Sequence, residues 1–527
     1  MIKALDWLFP GHAERRARAE LNIARYSALT DGVKRAFEAA AVGRRNAAWR
    51  ASGADANAEL APAMARMRNR ARDQRRNNPY ATSGVAAIAD YAVGHGIIPR
   101  PAGKSKPANK KLAKLWDKWA NSTDCDADGL NTFYGMQHLI VTSIVESGEV
   151  LVRRRWRKAK DGLAVPMQLQ VLEADYLDEL KTASLANGGQ IIQGVEFDAI
   201  GKRVAYWLFS QHPGALGYQT YLESKRVPAE DVLHIFLAER PGQVRGYTWL
   251  APVIQRMKNL DEMDDATIEQ AKVAACFAAF ISSDPTGDIL ANGASADLLS
   301  HVEPGIIQKL GTNESVTFGS PPTFTGYQSY TWLALHAVAS GLGVPYEILT
   351  GDLKGVNFTS GRMGWLRFYE RIGVWQKRMI IPALCQGVWS WFMAAQMLAP
   401  EGGIFDTVPA QWIVPRRVVL DPKNEITATK DAIRNGQISW SDTARENGYP
   451  DPEALAEQIA ADNELFDRLG LTLDCDPRKV GAVGAGSAAG DTTDDTTTTD
   501  DPPAADDPPA GDDATTDETV PAEESQE

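Results

Sequence analysis

Cysteine is scarce in this chain of 527 residues: Cys125, Cys276, Cys385 and Cys475 stand far apart, and no C-x-x-C pair occurs. Without paired spacing there is neither a zinc knuckle nor a dithiol couple, and the four read as cytosolic thiols. Long apolar runs are missing too. The longest, Val273 to Ile281, falls far short of the roughly 20 residues that span a bilayer. Met1 to Phe9 is a short amphipathic stretch broken by Pro10, without the apolar core and small-residue cleavage site of a signal peptide. A soluble protein with no membrane partner is expected, made and used in the cytoplasm or released by lysis.

Enzyme signatures are equally thin. No G-x-x-x-x-G-K-[ST] loop is present to cradle a triphosphate, which argues against an ATP-driven motor of the common kind. A G-x-S-x-G elbow and an H-E-x-x-H pair are also absent. The seven histidines never fall within four residues of one another, so no local metal site is spelled out. The expectation is a protein with no catalytic residue, no metal and no cofactor.

What is present is a chain of globular composition, 44% apolar and 23% charged, long enough for several domains. Its net charge of -13 is unevenly spread. Residues 1 to 120 hold 23 basic and 10 acidic side chains, residues 121 to 480 hold 32 and 44, and residues 481 to 527 hold none and 14. A basic front, an acidic body and an acidic tail fit different partners, one of them a polyanion, or simply solvation. The tail runs through Gly, Ala, Asp, Thr and Pro with almost no large apolar residue, which predicts disorder.

Along the chain, Ala63 to Asn77 patterns as a helix with a narrow apolar stripe of Met64, Met67 and Ala71. Its arginines, Arg66, Arg68, Arg70, Arg72, Arg75 and Arg76, suit either a phosphate-contacting surface or a packing helix that pairs with acidic neighbours. The runs Leu139-Ile140-Val141, Glu149 to Arg153, Leu169 to Leu172 and Val204 to Leu208 read as strands of an α+β body. A long helix is expected from Ala251 to Ile281, with the acidic cluster Asp261, Glu262, Asp264, Asp265 and Glu269 in its middle and a second half apolar enough to be buried all round. Another runs from Ser360 to Ala399, where Pro382 should kink it. Long helices with few local partners find them in another subunit. Asp421 to Leu469, with the turn Asn447-Gly448-Tyr449-Pro450-Asp451-Pro452, suits a small helical subdomain.

Two motifs invite chemistry. Asp124-Cys125-Asp126-Ala127-Asp128-Gly129 opens like a calcium loop, but the twelfth position is Gly135 where a bidentate Glu is needed. An Asx-rich turn leading into a helix around Phe133 to Val145 is preferred. Gly341-Leu342-Gly343-Val344-Pro345 lacks the third glycine of a nucleotide loop and reads as a helix stop. The Gly-bracketed segment Gly351 to Ser360 that follows is either an ordinary connection or an exposed functional loop.

Taken in order, several strings resemble the portal proteins of lambda-like tailed bacteriophages. They are Arg76-Asn77-Asn78-Pro79-Tyr80-Ala81, Val93 to Pro99, Glu146-Ser147-Gly148-Glu149-Val150, Val232 to Phe236, Glu239 to Gly246, Ala271 to Ala278 and Gly341 to Asn357. The resemblance covers about residues 20 to 470. It implies an α+β portal fold: wing (21–250), first stem helix (251–281), clip (282–328), second stem helix (329–350), tunnel loop (351–359), kinked wing helix and return (360–420) and helical crown (421–480). An N-terminal segment (1–20) without an assigned role and the disordered acidic tail (481–527) complete the chain. It implies a non-enzymatic ring of about twelve copies at the unique capsid vertex of the virion, assembled in the host cytoplasm. Double-stranded DNA would be packaged and ejected through it without base recognition, with Asp352, Lys354 and Asn357 at the channel. The implied partners are the terminase large subunit, the major capsid and scaffold proteins, and the head-tail adaptor. Rival readings are another virion structural or adaptor protein and, behind it, a DNA-packaging enzyme.

Overall fold

The structure, a computed structural model, describes residues 18–24, 51–215, 223–275, 279–283, 314–318, 326–404, 407–416, 421–449 and 451–471. Most of the expected N-terminal segment and clip, and the whole acidic tail, lie outside these residues. The chain divides into two units, Met1–Pro452 and Glu453–Glu527.

In the first unit, α1 (Ala56–Leu60), α2 (Met64–Asn77) and α3 (Pro79–Val93) lead in. Asn78 ends α2 and caps α3, its side chain accepting from the Tyr80 and Ala81 N–H groups at 3.0 Å each, with Pro79 at the first helical position, where a missing N–H costs nothing. After β1 (Ile98–Pro101), α4 (Lys106–Ala120) buries Leu112, Leu115, Trp116 and Trp119 along one stripe. Helix α5 (Phe133–Ser147) stops at Gly148, whose φ is 95°.

A three-stranded antiparallel sheet has β2 (Glu149–Trp156) at its centre, flanked by β3 (Met167–Glu173) and β9 (Val232–Phe236). Between β3 and β9 the chain builds a five-stranded meander of β4 (Ala183–Ser184), β5 (Gln190–Ile192), β6 (Val195–Phe197), β7 (Arg203–Phe209) and β8 (Ser224–Pro228). Long helices follow: α6 (Ile254–Ala275), then β10 (Ala279–Ser283) paired with β11 (Glu314–Phe318), then α7 (Tyr327–Leu342) and the short α8 (Tyr346–Thr350). Helix α9 (Phe358–Trp375) passes through a π-helical segment (Gln376–Cys385) into α10 (Gln386–Gln396), and β12 (Ala410–Ile413) returns to pair with β1. Helices α11 (Pro422–Arg434) and α12 (Trp440–Glu446) close the unit. Helix α13 (Pro452–Leu469) begins on the last residue of the first unit and supplies, among the described residues, the helix of the second.

The main core joins α3, α4, α5 and β2 to residues contributed far along the chain by α7, α9, the π segment and α10. At its centre Trp116 meets Trp119, Phe133, Trp389 and Phe392 with ring centroids 4.9–5.3 Å apart. A second core lies under the meander around Leu151, Leu177, Tyr206 and Val244. A small third one, Leu260 with Ala334 and Leu335, clamps α6 to α7.

Several expectations change. Leu139-Ile140-Val141 lies inside α5, not in a strand, because a helix buried on most of its surface loses the polar positions that reveal its period. The helix expected from Ala251 to Ile281 ends at Ala275, and Ala279–Ser283 pairs as a strand. In its second half Ile268 is 53% exposed, while the burial expected for the apolar run Val273 to Ile281 lies outside what is described. The span 329–350 is two helices separated at Gly343–Pro345, and residues 358 and 359 of the expected loop belong to α9. Pro382 sits within the π segment, whose wider turn accommodates a residue with no N–H and a bulky ring. The Asx turn holds: Asp126 carboxylate oxygens accept from the N–H groups of Asp128, Leu130 and Asn131 at 3.0–3.2 Å.

Removing the keystone ring should be costly. Trp116→Ala is expected to lower stability by about 3–5 kcal/mol, read as a lower urea midpoint at an unchanged slope, with Trp116→Phe losing less.

Candidate functional site

Three of the strings quoted above converge on one buried carboxylate. Glu149 opens β2 immediately after the α5 stop, His234 sits in β9 beside it, and Arg245 arrives on the loop after β9. Arg245 Nε donates to Glu149 Oε1 at 2.8 Å and its Nη2 joins the same oxygen. The other oxygen lies 2.9 Å from His234 Nε2 and accepts from the Gly246 N–H at 2.8 Å. Arg245 Nη1 reaches on to the Gln193 carbonyl at 3.0 Å, so the guanidinium also ties in the meander. All three side chains are enclosed.

Burial alone would raise the Glu149 pKa, but Arg245 and His234 outweigh it and hold the carboxyl well below its usual range. For His234 burial pushes the pKa down, and Arg203 and Arg245 add to that against the pull of Glu149. Arg203 Nη1 stands 3.3 Å from His234 Nδ1. An arginine can only donate, so Nδ1 accepts and Nε2–H donates to Glu149. The approach is tight: Gly148 is left-handed, and a Cβ there would fall about 2.1 Å from the Tyr247 carbonyl carbon. The one signal in sequence was a carboxylate heading an apolar strand.

The arginines of α2 divide by face. Arg68 is 4% exposed, 3.2 Å from Asp175 and 3.4 Å from Glu179; Arg72 lies 2.7 Å from Asp175 and 3.1 Å from Glu173; Arg75 lies 2.6 Å from Glu146. Arg76 stands 3.9 Å from Asp73. Arg66 and Arg70 point outward, lining a shallow hollow with Asn69 and Asp73. Glu173, Asp175 and His212 come close enough to share a cation, but the Arg72 guanidinium already lies on both carboxylates. Burial would raise Asp175, and the hydrogen bond from Arg72 with the charges of Arg68 and Arg72 lowers it instead.

The acids of α6 are mostly engaged too. Asp261 accepts from Asn78 at 2.8 Å and Asp264 from the Tyr327 hydroxyl at 2.7 Å, which anchors α6 to the start of α3 and to α7. Glu262 pairs with Lys258 at 3.0 Å and Glu269 with Lys272 at 2.8 Å. Asp265 is exposed.

The segment after α8 is shaped from within. Helix α7 stops at Gly343, φ 72°, whose N–H donates to the Ala339 carbonyl at 2.8 Å. Asp352 accepts from the Lys354 N–H at 3.0 Å, closing an Asx turn. Asn357 caps α9, accepting from the Ser360 N–H at 2.8 Å while the Ser360 hydroxyl takes the Asn357 N–H at 3.3 Å. Two of the three expected channel residues thus hold the loop's shape. Lys354 is exposed with no anionic partner among the described residues, beside Leu353, which is 70% exposed.

Long helices joined to small antiparallel sheets, with charged groups engaged in ion pairs and caps, make up a mixed α+β fold. Residues 42–376, more than half of the chain, match the family described as phage portal protein, lambda family. A probable portal protein of Halomonas phage phiHAP-1 is 29% identical over 466 residues, covering 83% of this chain and 88% of the relative. Portal protein B of Escherichia phage lambda is 21% identical over 467 residues, covering 78% and 86%. A chain in the virion of a native gene transfer agent particle aligns with a TM-score of 0.43 at 14% identity, covering 76% of this chain and 96% of its own. The chain belongs to the lambda family of phage portal proteins, non-catalytic connectors that act in capsid assembly and DNA translocation at the portal vertex.

The buried carboxylate makes two predictions. Glu149→Gln leaves Arg245 enclosed without its counter-charge and should cost about 3–5 kcal/mol. Both Glu149 and His234 have folded pKa values below their unfolded ones, so the unfolded state binds more protons and stability is lost as pH falls. Melting temperature should therefore decline from about pH 6.5 downward as unfolded His234 protonates, and further below about pH 4.5 through Glu149. Thermal melts across this range check it, and His234→Gln should flatten the upper part.

Proposed function

We propose that this chain is the subunit of a closed portal ring of about twelve copies, through which double-stranded DNA is packaged and later ejected. The ring docks the terminase large subunit first and the head-tail adaptor afterwards. Residues up to about 250 form the wing. Helices α6 and α7 form the stem, residues between them the clip, and Gly351 to Asn357 the tunnel loop. The chain from α9 to β12 returns through the wing, and α11 to α13 belong to the crown.

The observation that carries this reading, beside family membership, is where large apolar side chains meet water. Trp332 and Leu333 on α7, Ile268 on α6, and Met363 and Leu366 on α9 are 45–65% exposed. Helix α6 is held near its start by Asn78, Leu260 and Tyr327, and the exposed stripes of the three helices find partners when copies pack side by side around an axis. In such a ring Lys354 meets phosphate as a single point charge. One lysine per subunit gives a weak contact that DNA can slide past.

Native mass spectrometry with negative-stain imaging of the purified protein tests this. A ring of about a dozen subunits with a central hole is expected, and Trp332→Glu with Leu333→Glu should shift the mass to monomer while circular dichroism is retained. A wild-type protein that stays monomeric under every assembly condition, scaffold included, overturns the ring. Lys354→Ala is expected to alter DNA packaging or retention at unchanged ring mass.

A further inference from the structure

Helix α4 carries a cationic row that no element of the portal reading uses. Lys106, Lys110, Lys114 and Lys118 recur every fourth residue, with Lys104 and Lys111 beside them, and all six are exposed. Residues four apart stack along one side of a helix, so the row extends about 18 Å. The opposite side is fixed in the main core by Leu112, Leu115, Trp116 and Trp119, and the two indoles are tied by hydrogen bonds to Tyr134 at 3.3 Å and the Met167 carbonyl at 3.0 Å. The row is therefore presented by a rigid support.

Among the described residues, Lys104, Lys110 and Lys114 have no ion-pair partner. Lys118 lies 3.0 Å from Glu401, and Lys111 donates to the Gly402 carbonyl at 2.8 Å. Asp117 is the one acid on the helix. Glu401 is held below the usual carboxylate range by Lys118 first and then by Lys114 and Lys111, so several lysines converge on this one carboxylate.

We propose that the lysine row of α4 is a docking surface for the phosphate backbone of double-stranded DNA, separate from any channel contact. A protein partner fits the surface less well. Between residues 98 and 121 no large apolar side chain is exposed, whereas protein interfaces are anchored by aromatic and apolar groups and are depleted in lysine. A straight row of flexible ammonium groups without planar or aromatic groups beside them suits phosphates in series, held by counterion release and blind to sequence.

The test uses the full-length protein and relaxed, closed circular plasmid DNA, which cannot thread a closed ring and so reports only outer surfaces. Affinity is followed against salt concentration for wild type, for Lys110→Gln with Lys114→Gln, and for Lys158→Gln with Lys160→Gln as a control of equal net charge. Glutamine is a good helix former, and circular dichroism checks the fold. The α4 variant should lose about two units of the log–log salt slope, the control none. An unchanged slope in the α4 variant, or an equal loss in the control, overturns the proposal. So does a poly-aspartate peptide that binds wild type while the plasmid does not, since that assigns the row to an acidic protein. Ring mass is read separately, so failure here is distinct from failure of the portal assembly.

Discussion

A single enclosed carboxylate sets where the rest of the first unit can go. Glu149 cannot be left alone in a medium that solvates charge poorly, so the fold must bring it a cation and further donors. It does so with Arg245 and Gly246 from one loop and His234 from the neighbouring strand, and Arg245 carries the link to Gln193 in the meander. Once the loop is pinned, Trp249 donates to the Val145 carbonyl at 3.1 Å, and Leu250, Val253 and Met257 enter the core. The root of α6 is thus aimed by an ion pair whose partners are 96 residues apart. An apolar replacement could match the pair in stability, yet would not offer the same directional fixing of a loop against two sheets.

From that root outward the character of the packing changes. Near its base α6 is held by Leu260 against Ala334 and Leu335, by Asp261 to Asn78 and by Asp264 to Tyr327. Past Asp264 every described position whose side-chain surroundings are known is half-buried or exposed. The same transition occurs along α9, where Met363 and Leu366 face solvent while Phe368, Ile372 and Trp375 are buried. A chain that buries one half of each long helix and leaves apolar groups on the other half has an unfinished hydrophobic balance, which packing of copies in the proposed ring would complete.

Much of this was legible. The strands around Val150 and Leu169, the Asx turn at Asp126 and the stop at Gly343 follow from local chemistry, and local chemistry is what a sequence displays. Leu139 to Val141 misled because a helix buried on most of its surface shows little periodicity, and Ala279 to Ile281 because an apolar run continues a helical pattern until a partner strand intervenes. That partner, Glu314–Phe318, lies more than thirty residues on, and no local signal announces it. The arginines of α2 looked uniform in sequence; only tertiary placement of Glu146, Glu173, Asp175 and Glu179 separates Arg68, Arg72 and Arg75 from Arg66 and Arg70.

The same distinction between charge counted and charge felt governs how the chain meets a polyanion. Five carboxylates on α6 suggest a strongly repelling helix, but Glu262 and Glu269 have lysines within one turn and Asp261 and Asp264 are fixed by hydrogen bonds. On α4, Lys118 is paired with Glu401, whereas Lys110 and Lys114 have no ion pair among the described residues. At physiological ionic strength fields fade within about 8 Å, so each face acts by its own local balance and the overall charge of -13 decides little. Under the two proposals above, one chain would let DNA slide past one surface and hold it on another, because compensation, not composition, fixes what a phosphate encounters.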